Sequence, residues 1–191
     1  METIGVVFII LAIYIFVFKP PVYLKLVIKK DGLIYNRRES TLYTGTIKKY
    51  YETGQIFYEK YYKDGMKYGC WKEYYRSGAV MSEETYKNGK KDGCHKKYFE
   101  SGAIMSEEFF KDGTVGDHIK YYETGVIASI ETHDPGKEEG QWKGYDKNGN
   151  FRYVENYKND KIDGISKEYD EKGDLISEKE YKNGIYIRKI K

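Results

Sequence analysis

Over most of the chain, apolar positions alternate with polar ones in short stretches, and each stretch ends at a turn that contains glycine. Residues 69–92 show the arrangement: alternation over 70–75, a turn at 76–78, alternation again over 79–86, and a second turn at Asn88-Gly89. A two-residue period between such turn signals is typical of β-hairpins and does not fit the 3.6-residue period of a helix. The pattern predicts a strand-turn-strand-turn unit.

This unit recurs about every 24 residues down to the C-terminus, so the chain is an array of internal repeats. Six copies open on Gly45, Gly69, Gly93, Gly116, Gly140 and Gly164. A single hairpin cannot bury an apolar face by itself, so each copy must pack against its neighbours. We therefore predict an all-β fold for residues 45–191, an elongated single-layer antiparallel meander of about six hairpin repeats.

Two sets of residues shape each predicted hairpin. A glycine nine residues after the opening glycine supplies the positive φ that a three-residue bulged loop needs, and Asp-Gly or Asn-Gly usually forms the second turn. A tyrosine of the first strand faces an aliphatic or phenyl residue of the second, as Tyr74 faces Val80. We expect Tyr86 and its equivalents to extend that side into one continuous aromatic spine. The fixed tyrosines are Tyr50, Tyr74, Tyr98, Tyr121, Tyr145 and Tyr169.

An uninterrupted apolar run covers Ile4 to Phe18 and is followed by a lysine and two prolines. As a helix it would be roughly 22 Å long, against a bilayer hydrocarbon core of about 30 Å. We predict a transmembrane or signal-anchor helix over residues 1–19, with residues 20–44 as a linker and lead-in strand. A cleaved secretory peptide is one alternative, although no basic residue precedes the run and no small-x-small cleavage site follows it. A buried core helix is another.

Basic residues follow the apolar run at Lys19, Lys25, Lys29 and Lys30, whereas only Glu2 and the amino terminus precede it. The positive-inside rule therefore predicts that the repeats lie in the cytoplasm, with a periplasmic or extracellular location as the alternative. In this interpretation the apolar run contacts the membrane as a single-pass anchor.

The repeats carry charges of both signs. The formal net charge of +3 results from 33 basic and 30 acidic residues that are spread over every repeat, and the mean hydropathy is -0.76. This surface differs from the one-sided basic patch of a nucleic-acid-binding protein, so we expect no nucleic-acid partner.

Histidine and cysteine recur at equivalent positions of adjacent repeats: His95 with His118, and Cys70 with Cys94. Equivalent positions in a meander of hairpins are two strand spacings apart, roughly 10 Å. A disulfide needs Cα atoms within about 7 Å, and shared metal ligation needs bonds of about 2 Å. We therefore expect no disulfide, no metal site and no cofactor.

Glutamate recurs as well, and in the predicted pairing Glu83 and Glu107 face Lys72 and Lys96. We interpret these residues as cross-strand ion pairs. A hydrolase that uses the repeated glutamates is the alternative, but acid-base catalysis needs carboxyl groups in unlike environments. No serine or cysteine nucleophile has a plausible base nearby, so we expect no catalytic residues and predict that the protein is not an enzyme.

A second aromatic row offers a candidate binding surface. Its residues alternate onto the face opposite the fixed tyrosines, where rings interleaved with lysine can bind a protein segment, a glycan or lipid headgroups. Packing within the sheet is the alternative role. The candidate partner-binding residues are Tyr51, Trp71, Tyr75, Phe99, Tyr122 and Trp142.

The run from Tyr86 to Gly93, followed by Lys97-Tyr98-Phe99 and Ser101-Gly102, resembles the MORN repeat in its bacterial variant form, as in YwqK-type proteins. Residues 42–46 resemble the lead-in before the first full repeat of that family. The resemblance covers residues 42–191 and implies a non-enzymatic, elongated β-meander that serves as an interaction surface. Such bacterial proteins are often catalogued as antitoxins, and eukaryotic relatives are linked to membrane association or protein scaffolding.

These expectations together describe a membrane-anchored repeat protein that binds another protein, in an antitoxin-like or scaffold role, without a reaction of its own. The alternative is an envelope protein whose aromatic and lysine-bearing sheet face binds polysaccharide or phospholipid headgroups.

The fourth repeat departs from the pattern, because His133-Asp134-Pro135-Gly136 replaces the usual second turn and the third repeat is one residue short. Proline lacks a backbone N–H for strand pairing, so we expect a kink or loop over residues 132–139 and the weakest seam of the array there. Limited digestion with a nonspecific protease should cut first in this segment, as identified by mass spectrometry of the two fragments. A first cut in any other repeat would contradict the prediction.

Overall fold

The computed structural model describes residues 32–36, 39–133 and 139–191, together with the backbone of residues 26–28. The predicted N-terminal helix over residues 1–19 lies outside these ranges, as does most of the predicted linker. Within the described ranges, no helix is both long enough and apolar enough to cross a bilayer.

Every strand of the described fold pairs antiparallel with its neighbours. A small sheet contains β1 (Leu26–Ile28) and β2 (Ile34–Asn36), and a second sheet contains 16 strands. The strands of the large sheet are β3 (Gly45–Tyr50), β4 (Ile56–Lys63), β5 (Met66–Lys67), β6 (Gly69–Tyr74), β7 (Val80–Lys87), β8 (Lys90–Lys91), β9 (Gly93–Tyr98), β10 (Ile104–Lys111), β11 (Thr114–Tyr121), β12 (Ile127–Glu131), β13 (Glu139–Tyr145), β14 (Phe151–Lys158), β15 (Lys161–Ile162), β16 (Gly164–Tyr169), β17 (Leu175–Lys182) and β18 (Ile185–Lys189).

The large sheet is a meander, since its strands lie side by side in chain order from β3 to β18. Six hairpins, from β3–β4 to β16–β17, correspond to the six predicted repeats. The short strands β5, β8 and β15 pair with the preceding strand beside the second turn. The prediction of an all-β, open antiparallel sheet built from hairpins is thus confirmed.

The turns have the geometry that their residues predict. In the second repeat, the N–H of Tyr75 donates to the carbonyl of Ala79 at 2.9 Å, and Gly78 closes the three-residue loop with φ of 90°. In the second turn Asn88 and Gly89 have φ of 49° and 81°, as a two-residue hairpin turn of the left-handed type requires. The same two φ signs recur in every repeat whose second turn the structure describes.

A bulge at Met81, inside β7 and beyond the loop, changes which side chains share a face, and this corrects the expected aromatic spine. Glu73 pairs with Ser82 but Tyr74 pairs with Val80, so two residues of β7 stand against one of β6. The extra residue shifts the alternation, and Tyr86 therefore lies on the face of Trp71 rather than that of Tyr74. We name the face of Trp71 the front face and that of Tyr74 the back face.

The core is a row of rings on the front face, packed across the strands. Trp71 lies with its ring centroid 5.0 Å from that of Tyr62 and 4.8 Å from that of Tyr86, and the row continues through His95 to Phe110. Trp71 is 6% exposed and Tyr86 7% exposed, yet no described side chain falls below 2%. Because the sheet has one layer, each ring is buried mainly by rings of neighbouring strands.

The sheet continues without a break through the third repeat, which is one residue short. Before Gly69, Gly93 and Gly164 the strand after the second turn is interrupted near an opening glycine of positive φ, which is 105° at Gly93. Strand β11 instead runs unbroken through Gly116, which lacks a positive φ. Beyond it, Glu131 pairs with Trp142, so the ladder continues from β12 to β13, while residues 134–138 of the expected loop lie outside the described ranges.

Gly140 and Gly116 allow a matched test of packing at this seam, because both are opening glycines without a positive φ. A Cβ at Gly140 would overlap the carbonyl oxygen of Thr132, whereas a Cβ at Gly116 would lie 3.3 Å from the carbonyl oxygen of Phe109. We expect Gly140→Ala to lower the free energy of unfolding by about 1–3 kcal/mol and Gly116→Ala to change it by less than about 1 kcal/mol. Urea unfolding followed by circular dichroism measures both, and equal effects would contradict the clash.

Candidate binding face

All six predicted partner-binding residues lie on the front face, as strand alternation predicts. Trp71 is buried, and the other five are half-buried. The rings form two rows across the strands: one through Trp71 and Trp142, and one beside the three-residue loops. We name the second the loop row; it consists of Tyr51, Tyr75, Phe99 and Tyr122.

The two tryptophans are packing residues first. The indole N–H of Trp71 donates to the carbonyl of Tyr61 at 2.7 Å, so the ring is held on both its edge and its faces. Trp142 stacks on Tyr157 with ring centroids 4.0 Å apart. Burial raises the pKa of Tyr157 to about 12, with the carboxylate of Glu155 adding to the shift. A partner could therefore contact Trp142 but would meet little of Trp71.

Three tyrosines of the loop row link consecutive repeats through their hydroxyl groups. Tyr51 donates to the carbonyl of Tyr74 at 2.6 Å, and Tyr75 donates to the carbonyl of Tyr98 at 2.6 Å. Tyr122 makes the equivalent bond to the next repeat at 2.8 Å. Each hydroxyl is thus used internally, which leaves the outer faces and edges of the rings for any partner.

The same repeat position is filled differently in the remaining repeats. Phe99 has no hydroxyl to donate, so its ring is held by packing alone. Asp146 uses its carboxylate within its own loop, where it accepts the N–H groups of Asn148 at 2.8 Å and Asn150 at 2.9 Å. These bonds lower the pKa of Asp146, and Asp170 caps the next loop in the same way.

Lysine ammonium groups cover part of the ring row. The Nζ of Lys67 lies 4.6 Å from the ring centroid of Trp71 and 4.7 Å from that of Tyr86, and Lys91 lies 4.5 Å from that of Phe110. Burial lowers the pKa of Lys67. These cation–π contacts cover the front face beside the second turns, and in the loop row the Arg76 guanidinium lies 5.3 Å from the ring centroid of Tyr51.

The back face of the first three repeats is occupied by a polar network. Lys72 pairs with Glu83 at 2.6 Å, and the hydroxyl of Tyr98 donates to the same carboxylate at 3.0 Å. Lys96 and Glu107 repeat this arrangement one copy later, at 2.7 Å. The lysine hydrogen bond is the main reason that the pKa of Glu83 is lowered. The predicted cross-strand ion pairs are therefore confirmed at these positions.

In the described ranges, the histidines contact neighbouring strands and the cysteines are not joined to each other. His95 is 6% exposed and its Nε2 lies 2.9 Å from the carbonyl of Thr85, while His118 contacts Glu131 at 3.3 Å. Cys70 and Cys94 are both free thiols. No group of three or more potential ligands among the described residues is arranged to hold a metal ion.

The two long edges of the sheet differ in charge, a feature that the sequence analysis missed because it averaged charges over each repeat. Beside the second turns, one exposed lysine recurs in every repeat except the fourth, about 10 Å apart in consecutive repeats, together with exposed aspartates at Asp64, Asp112 and Asp160. Beside the three-residue loops the exposed charges are mainly carboxylates, at Glu52, Glu100, Glu123, Glu171 and Asp174. The recurring lysines are Lys63, Lys87, Lys111, Lys158 and Lys182.

A comparison with protein-family models assigns most of these repeats. The model described as MORN repeat variant matches five segments, which together make up more than half of the chain. Between the third and fourth matched segments, residues 113–137 are unmatched, and they contain most of the irregular fourth repeat. A search of curated proteins returns no match. The matched segments are residues 43–64, 67–88, 91–112, 138–159 and 162–183.

Reciprocal substitutions test the hydroxyl links of the loop row. Tyr75→Phe removes the bond to the carbonyl of Tyr98 and should lower the free energy of unfolding by about 0.5–1.5 kcal/mol. Phe99→Tyr places a hydroxyl at the equivalent position and should raise the free energy of unfolding, because it restores the missing link. Urea unfolding compares the two variants, and shifts of the same sign would contradict the proposed link.

His95 should make the fold sensitive to mild acid. Burial lowers its pKa below the ordinary 6.5, and its buried Nδ1 has no hydrogen-bond partner. The unfolded chain therefore binds more protons, and stability contributed by His95 is lost as the pH falls below about 6.5. His95→Trp keeps an N–H donor, as Trp71 has, but cannot titrate. The melting temperature of wild type should fall relative to the variant between pH 7.5 and 5.5; parallel curves would contradict this role.

Proposed function

The chain belongs to the family of MORN repeat variants, and from that premise we propose that it is a non-enzymatic binding module whose front face contacts another protein. The observation that carries the proposal is the loop row, in which each of the first four repeats presents one half-buried ring, about 10 Å from the next. Its hydroxyl groups are already bonded within the sheet, so a partner would contact ring surface without first breaking hydrogen bonds to water.

The back face is less suited to this role. In the first three repeats its charged groups pair with one another, and the hydroxyl groups of Tyr74, Tyr98 and Tyr121 bond to those same carboxylates. Its exposed rings Phe109 and Phe151 lie in different repeats, although Phe151 packs between Tyr145 and Tyr169 with ring centroids 5.0 and 5.9 Å away. A partner on that side would have to separate ion pairs that the fold already satisfies.

The carboxylates support a binding role over catalysis. Among the described residues, each carboxyl group with a clearly shifted pKa has its pKa lowered, by lysine or by backbone N–H groups, and so stays ionised at neutral pH. A general acid of the glycosidase type needs the opposite shift. The groups concerned are Glu83, Glu107, Asp146 and Asp163.

We further propose that residues 4–18 anchor the protein in a membrane, with the repeats in the cytoplasm. The supporting observation is the apolar run, followed by basic residues. Membrane fractionation and protease treatment of intact cells test it together. Full-length protein that stays with the membrane fraction while its repeats are protected supports the proposal; soluble protein, or repeats digested from outside, contradicts it.

Photocrosslinking from matched positions tests the binding face. Phe99 on the front face and Phe109 on the back face belong to the same repeat, and each can be replaced by a photoreactive benzoyl-phenylalanine in the full chain. We expect a discrete protein adduct from position 99 in cells and none from position 109. Equal adducts from both positions, or none from either, would contradict a binding face at the loop row.

The lysine edge favours a second candidate function, the binding of anionic phospholipid headgroups. The five exposed lysines could contact a flat anionic surface together if the edge of the sheet that carries the second turns faced the membrane. Sedimentation with phosphatidylglycerol vesicles compares two triple variants. The first changes Lys63, Lys87 and Lys111 to Gln, and the control changes Arg76, Lys147 and Lys172 to Gln on the opposite edge. Binding lost only in the first variant supports this candidate, and no binding by wild type excludes it.

An antitoxin-like role is a special form of the protein-binding proposal, in which the partner is held inactive. Co-expression with the crosslinked partner tests this form. Relief of growth arrest by wild type, but not by a variant that no longer crosslinks, would support it. Growth arrest that persists in the presence of wild type would contradict the antitoxin-like role and leave the protein-binding proposal in place.

A further inference from the structure

Strand β18 is the C-terminal edge of the sheet and pairs only with β17. All five of its residues are exposed, and Ile185 is 67% exposed and Ile187 52% exposed. The N–H of Ile190 donates to the carbonyl of Glu178 at 2.7 Å. Because successive residues of a strand direct their backbone groups to opposite sides, the N–H and carbonyl of Lys189 point away from the sheet. This edge can therefore accept another strand.

The opposite edge is partly covered. The hydroxyl of Tyr43 donates to the carbonyl of Thr46 in the edge strand β3 at 3.1 Å. The carbonyl of Tyr43 accepts the N–H of Gly65 at 2.8 Å, and the carbonyl of Gly65 accepts the N–H of Ile34 at 2.9 Å. The lead-in and strand β2 thus close the first repeat at its turn, whereas nothing equivalent among the described residues lies against β18.

The edge at β18 lacks a group that joins one repeat to the next. Asp92 lies with a carboxylate oxygen 3.4 Å from the N–H of Asp112, and Asp163 accepts the N–H of Asn183 at 3.1 Å. At the equivalent position β18 has Ile187. A head-to-tail second copy of the chain would therefore lack at β18 the aspartate bond that joins the second repeat to the third and the fifth to the sixth.

The charge of this edge points to the complementary segment. Residues 185–191 contain three basic residues and no acidic one. Arg188 pairs with Glu180 at 2.6 Å, whereas Lys189 and Lys191 have no ion pair with any described residue. Two copies of β18 side by side would bring six basic groups together, so charge opposes that pairing as well.

We propose that β18 is a docking edge for an extended segment of a partner protein in which carboxylate side chains alternate with apolar ones. The segment adds to the sheet through backbone hydrogen bonds with Lys189, its apolar residues cover isoleucines of β18, and its carboxylates pair with Lys189 and Lys191. This inference rests on the proposed function, since it specifies the kind of segment that a protein partner presents.

A defined probe tests the edge directly. The probe is a labelled seven-residue peptide of alternating glutamate and valine, its matched control alternates lysine and valine, and fluorescence anisotropy measures binding to the full chain. We expect only the glutamate peptide to bind, more weakly as salt rises. Lys189→Ala removes a charge but keeps the N–H and should weaken binding a few-fold, whereas Lys189→Pro also removes the N–H and should weaken it at least tenfold.

Hydrogen exchange keeps the test independent of whether Lys189→Pro folds. Adding the glutamate peptide to wild type should slow exchange of the Lys189 amide, which faces outward, and leave that of Ile190 nearly unchanged. Equal binding of both peptides, equal affinity of the alanine and proline variants, or an unprotected Lys189 amide would overturn the proposal. So would a wild-type dimer in light scattering that the peptide does not displace, because a second copy would then occupy the edge.

The outcome separates this inference from the proposed function. Crosslinks from position 99 with no peptide binding at β18 would refute the docking edge and support the binding face. Peptide binding at β18 without crosslinks from position 99 would keep the docking edge and remove the loop row as the contact surface.

Discussion

The constraint on which the structure depends is that a single-layer sheet has no second layer to cover it, so each repeat must bury its rings against the next one along the strand order. The row from Tyr62 through Trp71, Tyr86 and His95 to Phe110 meets this constraint, with neighbouring ring centroids 4.6–5.7 Å apart. Burial of this kind is lateral and partial, which explains why no described side chain is less than 2% exposed. Stability in such an array resides in the interfaces between repeats.

Lateral stabilisation also explains why polar groups recur with the same period as the rings. The Tyr75 hydroxyl, the Lys72–Glu83 ion pair and the N–H of Gly89 each make a bond to an adjacent strand or repeat. A repeated bond of this type contributes little alone, but it fixes the position of one hairpin relative to the next. It also occupies most of the polar groups on the back face of the first three repeats.

The sequence predicted the hairpins, their turns and the ion pairs because these depend on local chemistry. Gly78 must have a positive φ in its loop, and Asn88-Gly89 forms a tight turn in any strand context. The faces were harder to predict, since one bulge beside Tyr74 shifts the alternation and moves Tyr86 to the other side. Counting residues along β7 alone cannot reveal how many of them stand opposite a single residue of β6. For the same reason, Trp71 could be predicted on the front face but not as a buried ring.

What the sequence by itself determined is the repeat: the strand lengths, the turn types, the family and the residues that alternate. Only the tertiary structure decided which rings are buried, which tyrosine hydroxyls are bonded internally, and that exposed lysines outnumber carboxylates along one edge while exposed carboxylates outnumber basic residues along the other. It also decided that one end of the sheet is partly covered by Tyr43 and the other ends in an open strand. These properties arise from side chains about 24 residues apart that meet only when the repeats pack together.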